Sequence, residues 1–175
     1  ETSMGLTPLG GIPMGSRSGD LDPSVVTYLM QKCNLSIDDM NYILNKESGL
    51  YGISGISIDM RDIENEMLAG GIHAKLAMDN FHYLTACYIA RCAVAMGGID
   101  VLTFTAGIGE KGPISREAIC EQLKFLGVEI DKEVNDIKGK ELEISSKDSK
   151  VKVYVVPTNE ELMIARETLN LIGIN

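Results

Sequence analysis

The chain has no tryptophan, only three phenylalanines and only two histidines. His73 and His82 stand nine apart in a segment with helical periodicity, and neither has a cysteine or second histidine at a metal-ligand spacing. That excludes a zinc site written into the sequence and assigns both to surface or packing. The cysteines, Cys33, Cys87, Cys92 and Cys120, form no CxxC pair. All four fall in segments that read as apolar helix, which predicts buried thiols in a reducing cytosol rather than a disulfide framework. No Ser-His-Asp or Cys-His arrangement can be drawn for nucleophilic catalysis. No run of about 18 apolar residues exists, which excludes a membrane-spanning helix, and no signal-peptide pattern is visible. Basic residues are in deficit too: 16 Lys and Arg against 25 Asp and Glu give a formal net charge of -9. Such a surface repels phosphate backbones and argues against a nucleic-acid partner. It leaves room for a small phosphorylated ligand, because one arginine or a bound cation reverses the field locally.

What is present suits a folded domain. The length of 175 residues and the apolar share of 45% predict one core. Glu1 is not a start methionine, and the chain opens into a Gly/Pro-rich stretch, so a piece of a longer protein is expected. Residues 2–22 read as an extended loop of the kind that carries function. Asp22-Pro23 predicts a helix start, with Asp as N-cap and Pro at the first helical position. A second helix follows from about Ser36. Residues 48–57 (SGLYGISGIS) read as another Gly/Ser-rich loop, followed by a short helix that stops at Gly70-Gly71. The longest helix is expected from about His73 to Met96, with an apolar face of Ala77, Phe81, Leu84, Tyr88, Cys92 and Ala95. Beyond it, residues 99–105 read as a buried strand, AGIGEKGP as a loop, and 115–126 as a helix. Residues 131–149 read as loops around a weak edge strand. Residues 150–156 alternate like a strand and run into Pro157-Thr158-Asn159, and a final helix is expected from Glu160 to about Leu171. Strands alternating with helices indicate an α/β fold.

Four segments offer chemistry, and each has a plainer explanation. In Gly15-Ser16-Arg17-Ser18-Gly19-Asp20, small neighbours let the Arg17 guanidinium leave the backbone, and its planar fork suits a phosphoryl group or carboxylate; a surface arginine in a flexible turn has the same composition. Asp59-Met60-Arg61 places an acceptor for a ribose hydroxyl two residues from a guanidinium able to stack on adenine; Asp59 is equally a helix cap. Gly107-Ile108-Gly109-Glu110-Lys111-Gly112 lies between a strand and a helix, where absent Cβ atoms let backbone amides approach a nucleotide. The same spacing satisfies GxGxxG, with Glu129 or Asp131 about twenty residues on, so a Rossmann-like dinucleotide-binding module stays open, as does a simple tight turn. Thr158-Asn159-Glu160-Glu161 puts carboxylates at a strand end, where they suit Mg²⁺ or complement a helix dipole.

Read in order, TSMGLTPLGGIPMGSRSGDLDP, SGISIDMRDIE, FTAGIGEKGPISRE and VVPTNEELMIARET resemble the acetate kinase family from Thr2 to about Leu171. The resemblance implies an actin/sugar-kinase/Hsp70-ATPase-like fold of two α/β lobes around a nucleotide cleft, with this chain as the C-terminal lobe. It implies reversible phosphoryl transfer from ATP to acetate, giving ADP and acetyl phosphate, with Mg²⁺ as cofactor, in a cytoplasmic homodimer that pairs through this lobe. By the same resemblance Arg17 stabilises the transferring phosphoryl group. Asp59, Met60 and Arg61, with Gly107, Ile108, Gly109, Glu110 and Lys111, bind the nucleotide, and Glu160 belongs to the metal site. Lys111 stands where the family has Asn, Gly10 where it has the Glu of TPLEG, and Ser16 where it has Thr. The family's NxGSSSxK-type segment, a second essential Arg, a catalytic Asp and His, and the HLGNG phosphate loop are not in this sequence, so no kinase activity is expected of the piece alone. Acetate, propionate and butyrate kinases share much of this half. A non-catalytic dimerisation domain that keeps the family sequence is the further alternative.

Overall fold

The computed structural model describes residues 2–173, so Glu1 lies outside the described residues. The chain divides into two units, one ending at Gly98 and the other beginning at Ile99.

The first unit is helical: α1 (Pro23–Cys33), α2 (Ile37–Lys46), α3 (Gly49–Ser54), α4 (Met60–Leu68) and α5 (Ile72–Met96). Local chemistry sets most of the boundaries. Asp22 accepts from the Ser24 amide at 2.8 Å with Pro23 at the first helical position, satisfying one of the amides a helix start leaves unpaired. Ser36 and Asp39 form a reciprocal capping box on α2, as an S-x-x-acid pattern does. Gly97, at φ 77°, ends α5 in the left-handed conformation.

Helices α3 and α4 pack on α5, and Leu50, Ile63, Met78 and Phe81 are buried there. Each such side chain contributes about 1.5–3 kcal/mol by leaving water. Two expectations change. Residues 49–54 are a helix rather than a loop, because Gly49 takes a positive φ of 60° and turns the chain into α3. The buried face of α5 runs through Ala74, Ala77, Met78, Phe81, His82, Ala86 and Ala93. Leu84, Tyr88 and Cys92 are half-buried and Ala95 is exposed. Alanines occupy the seam because a small side chain lets a neighbouring helix come close.

The second unit is α/β: β1 (Val101–Phe104), α6 (Ala106–Lys111), α7 (Pro113–Gln122), a 3₁₀ turn (Lys124–Leu126), α8 (Lys132–Asn135), β2 (Leu142–Glu143), β3 (Lys152–Val155) and α9 (Glu160–Leu171). The strand order is β1-β3-β2. β1 runs parallel to β3, with Val101 opposite Lys152 and Phe104 opposite Val155. β2 pairs antiparallel, with Glu143 opposite Tyr154. In β3 the alternation is realised: Val153 and Val155 are fully buried while Lys152 is exposed, the two-residue period of a half-covered strand.

The expectation of a buried first strand fails. Only Phe104 of β1 is buried and Val101 is 54% exposed, since β1 is an edge strand within this unit. The AGIGEKGP stretch is helical rather than a loop, with α6 and α7 nearly end to end. The thiols also depart from expectation: Cys120 is buried, Cys92 half-buried, and Cys33 and Cys87 exposed. Lying in an apolar helix does not decide which face a cysteine takes. Among the described residues, no helix is long and apolar enough to cross a membrane.

Candidate functional site

In the first unit, the loop carrying Arg17 is held by the ends of two helices. Its Ser18 amide donates to the Leu44 carbonyl at 3.0 Å and its Ser16 hydroxyl to the Asn45 carbonyl at 2.9 Å, taking up carbonyls that the last turn of α2 leaves free. Its Met14 and Gly15 carbonyls accept from the Leu50 and Tyr51 amides of α3, each at 2.9 Å. A segment that caps one helix end and receives the start of another is not a flexible turn. Arg17 itself is half-buried, and its guanidinium donates to the Pro8 carbonyl at 3.2 Å.

The same loop meets the second candidate segment. A Cβ on Gly15 would lie 2.4 Å from the carbonyl oxygen of Ile58, the residue before Asp59, so glycine is required for this approach. Asp59 caps α4, accepting from the Arg61 amide at 2.9 Å, and it pairs with the Arg61 guanidinium at 2.5 Å. That pairing holds the Asp59 carboxyl down to about 2. The Arg61 side chain is 86% exposed, so its face is open to an incoming ring. Met60 is half-buried. Capping and ligand binding are therefore not exclusive at Asp59.

Asp20, which sequence reasoning quoted only as part of the arginine motif, anchors this loop. It accepts from the Gly11 amide at 2.7 Å and from the Tyr88 hydroxyl of α5. Those bonds, Tyr88 first, hold its carboxyl below the usual range.

In the second unit, β1 and β3 are parallel, so the segments that follow them leave the same end of the sheet. The Val156 amide donates to the Phe104 carbonyl at 2.9 Å and keeps the two exits together. Ligands of open α/β sheets bind at the carboxyl ends of parallel strands. Gly107 is exposed, with nothing within 4 Å of where a Cβ would stand, leaving its backbone open. Gly109 faces the other way, and its Cβ would sit 3.1 Å from the Phe104 carbonyl carbon. Ile108 is half-buried and Lys111 exposed. Ala106 is held at φ 57°, a left-handed conformation that costs a non-glycine residue about 1–2 kcal/mol.

Glu110 turns inward. It is 8% exposed, and its Oε1 accepts from the Thr158 amide at 2.8 Å and the Thr158 hydroxyl at 3.0 Å. The Thr158 amide leads the interactions that hold its carboxyl below the usual range. The GIGEK segment is thereby joined to the segment carrying Glu160. Glu160 and Glu161 open α9, both exposed, and Asn159 caps it through the Leu162 amide at 3.0 Å. Among the described residues, no group of three or more His, Cys, Asp or Glu is placed to hold a metal ion. A carboxylate or two at a helix start fits Mg²⁺ that keeps several waters and takes its remaining ligands from phosphate oxygens, and does not fit an all-protein cage.

The dinucleotide reading loses its structural basis. Gly107 and Gly109 lie inside α6 rather than in the turn before a helix; of the two acidic candidates, Asp131 is occupied as the cap of α8 and Glu129 is exposed.

Arg116 was missed. It is 0% exposed, and its guanidinium donates to the Gly109 carbonyl at 2.7 Å, the Asn135 side chain at 2.8 Å, and the Asn135 and Ile137 carbonyls at 2.6 and 2.9 Å. It fixes the carbonyl side of the GIGEK segment while leaving the Gly107 backbone open. The sequence held one signal. A cation in the first turn of a helix opposes the dipole, so an arginine three residues after Pro113 needs a specific partner.

Comparison with known proteins follows this geometry. The model of the Acetokinase family matches residues 1–166. The chain is 56% identical over 174 residues to an acetate kinase of Thermosipho melanesiensis, covering 98% of this chain and 43% of that protein. Among solved structures, an acetate kinase of Porphyromonas gingivalis superposes with a TM-score of 0.92 at 45% identity, over 97% of this chain and 43% of that one. A propionate kinase of Francisella tularensis superposes with a TM-score of 0.88 at 42% identity, over 94% and 42%. The chain thus spans less than half the length of the relatives it matches, and its α/β fold is theirs.

Proposed function

Because the chain belongs to the Acetokinase family, we propose that the protein carrying it transfers a phosphoryl group between ATP and a short carboxylate such as acetate. A carboxylate oxygen attacks the γ-phosphorus in line, the bond to the bridging oxygen breaks, and ADP leaves. Such transfers need positioning and charge neutralisation more than covalent chemistry. Arg17, with its rigidly held backbone, neutralises the equatorial oxygens. Arg61 offers its exposed face to the adenine, and the open backbone at Gly107 together with Lys111 receives the nucleotide. Glu160 would hold Mg²⁺, which when bound neutralises and orients phosphate oxygens.

The observation that carries this reading is the Arg17 loop, pinned between the end of α2 and the start of α3. An arginine meant only for solubility has no need of such a mount. Phosphotransfer by the protein that carries this chain tests it. Arg17→Ala is expected to lower kcat by ~10³–10⁵, while Arg17→Lys restores charge without the fork and recovers little. An Arg17→Ala protein that keeps full rate of acetyl phosphate formation would sink the assignment. The piece described here is expected to form no acetyl phosphate by itself. A homodimer in the cytoplasm completes the reading, and light scattering checks the pairing.

A further inference from the structure

We propose that Glu110 does not bind the nucleotide through its carboxylate but is a positioning residue, a strut through which the Gly107–Lys111 segment and the start of α9 move as one. The inference rests on the reading that these two segments serve nucleotide and Mg²⁺. Glu110 is the one buried residue of α6, and the flanking Gly107 and Lys111 are exposed. Its Oε1 takes both donors of Thr158, across 48 residues of sequence. Thr158 is two residues from Glu160, and Asn159 between them caps α9.

The other side of the segment is held as well. The Glu110 carbonyl accepts from the Gly139 amide at 3.1 Å and the Gly109 carbonyl from Arg116 at 2.7 Å. With its carbonyls fixed, α6 cannot yield freely by itself. A displacement of its exposed end on binding therefore passes through the Glu110 side chain to Thr158 and on to Glu160. Oε1 has its donors already. Both Thr158 donors go to that one oxygen, while the Ala106 amide also acts on the carboxylate. Gln at position 110 keeps an accepting oxygen for Thr158, whereas a role resting on negative charge would be lost with it.

The test uses this chain, labelled for backbone NMR, as wild type, Glu110→Ala and Glu110→Gln. Without ligand, exchange of the Thr158 amide should accelerate at least about tenfold in Glu110→Ala, with the Val153 and Val155 amides of β3 unchanged, and should return close to the wild-type rate in Glu110→Gln. With ADP alone as the probe, wild type and Glu110→Gln should show shifts at Gly107–Lys111 and also at Thr158–Glu160. Glu110→Ala should keep the first set and lose the second. Equal Thr158 exchange in wild type and Glu110→Ala overturns the strut, as does a Gln variant that behaves like Ala. ADP that leaves Gly107–Lys111 unmoved in wild type overturns the nucleotide reading and the coupling with it, while the exchange result still decides the strut. Should Glu110→Ala fail to fold, Thr158→Val removes only the hydroxyl donor and is expected to weaken the same transmission.

Discussion

Gly49 lies directly beneath Arg17: a Cβ on Gly49 would stand 2.5 Å from the Arg17 carbonyl oxygen, 3.0 Å from its amide nitrogen and 2.1 Å from the Met14 carbonyl oxygen. Its φ of 60° is itself one that L side chains rarely adopt. Both facts make glycine at the start of α3 a condition for the arginine loop. Gly49→Ala is expected to cost about 2–4 kcal/mol through strain and backbone displacement. Urea unfolding measures the loss, and an alanine variant of wild-type stability would show that the loop is not seated as described.

Arg116 predicts a larger stability effect than any exposed arginine. Its removal takes the Arg116 donors from the carbonyls of Gly109 and Ile137 and from the Asn135 side-chain oxygen, while the Asn135 carbonyl keeps the Ile137 amide. Arg116→Met fills much of the volume but restores none of those bonds, and should destabilise by about 3 kcal/mol. Arg61→Met should leave stability nearly unchanged, because the Arg61–Asp59 pair is exposed. Thermal unfolding of the two variants side by side checks the contrast.

The thiols should divide in labelling experiments. Burial pushes Cys120 up to about 12, so little thiolate exists near neutral pH. Cys33 and Cys87 are exposed and should react within the native state, with Cys92 slower and Cys120 only on unfolding. Rapid native labelling of Cys120, identified by peptide mapping, would contradict the packing of α7.

Glu143 supplies a pH prediction. Lys152, then Ser145 and Tyr154, hold its carboxyl down to about 2 from an ordinary 4.5. A depressed carboxyl stabilises the fold above its unfolded value, and that contribution is lost as pH falls through the folded one. The stabilisation from the Glu143 contacts should therefore be full at pH 5 and above and fall away between about pH 4.5 and 2. Carboxyl NMR of Glu143 should give a midpoint near 2, rising in Lys152→Ala. A midpoint near 4.5 in the unsubstituted chain would mean the bonds are not made.

Most of the helices were legible because their punctuation is local. Asp22-Pro23, the Ser36/Asp39 box, Asp59 and Asn159 each carry their cap in the sequence. The misreadings came where glycine was taken for loop. Gly49, Gly107 and Gly109 stand in helices because backbone passes close by, or because a face must stay open, and neither is written in neighbouring residues. The site segments were legible as motifs, but their mounts were not. The Asp20–Tyr88 and Glu110–Thr158 bonds join residues 68 and 48 apart, beyond any local pattern. The exposed cysteines were misplaced because helical composition does not fix which face turns inward.

The central claim is that this chain presents the nucleotide-binding half of a carboxylate kinase, and calorimetric titration of the chain with Mg-ADP, with NAD in parallel, tests it most directly. The account predicts heat of binding with Mg-ADP, weakened in Arg61→Ala, and none with NAD. No binding of Mg-ADP, or binding of NAD in its place, would contradict it.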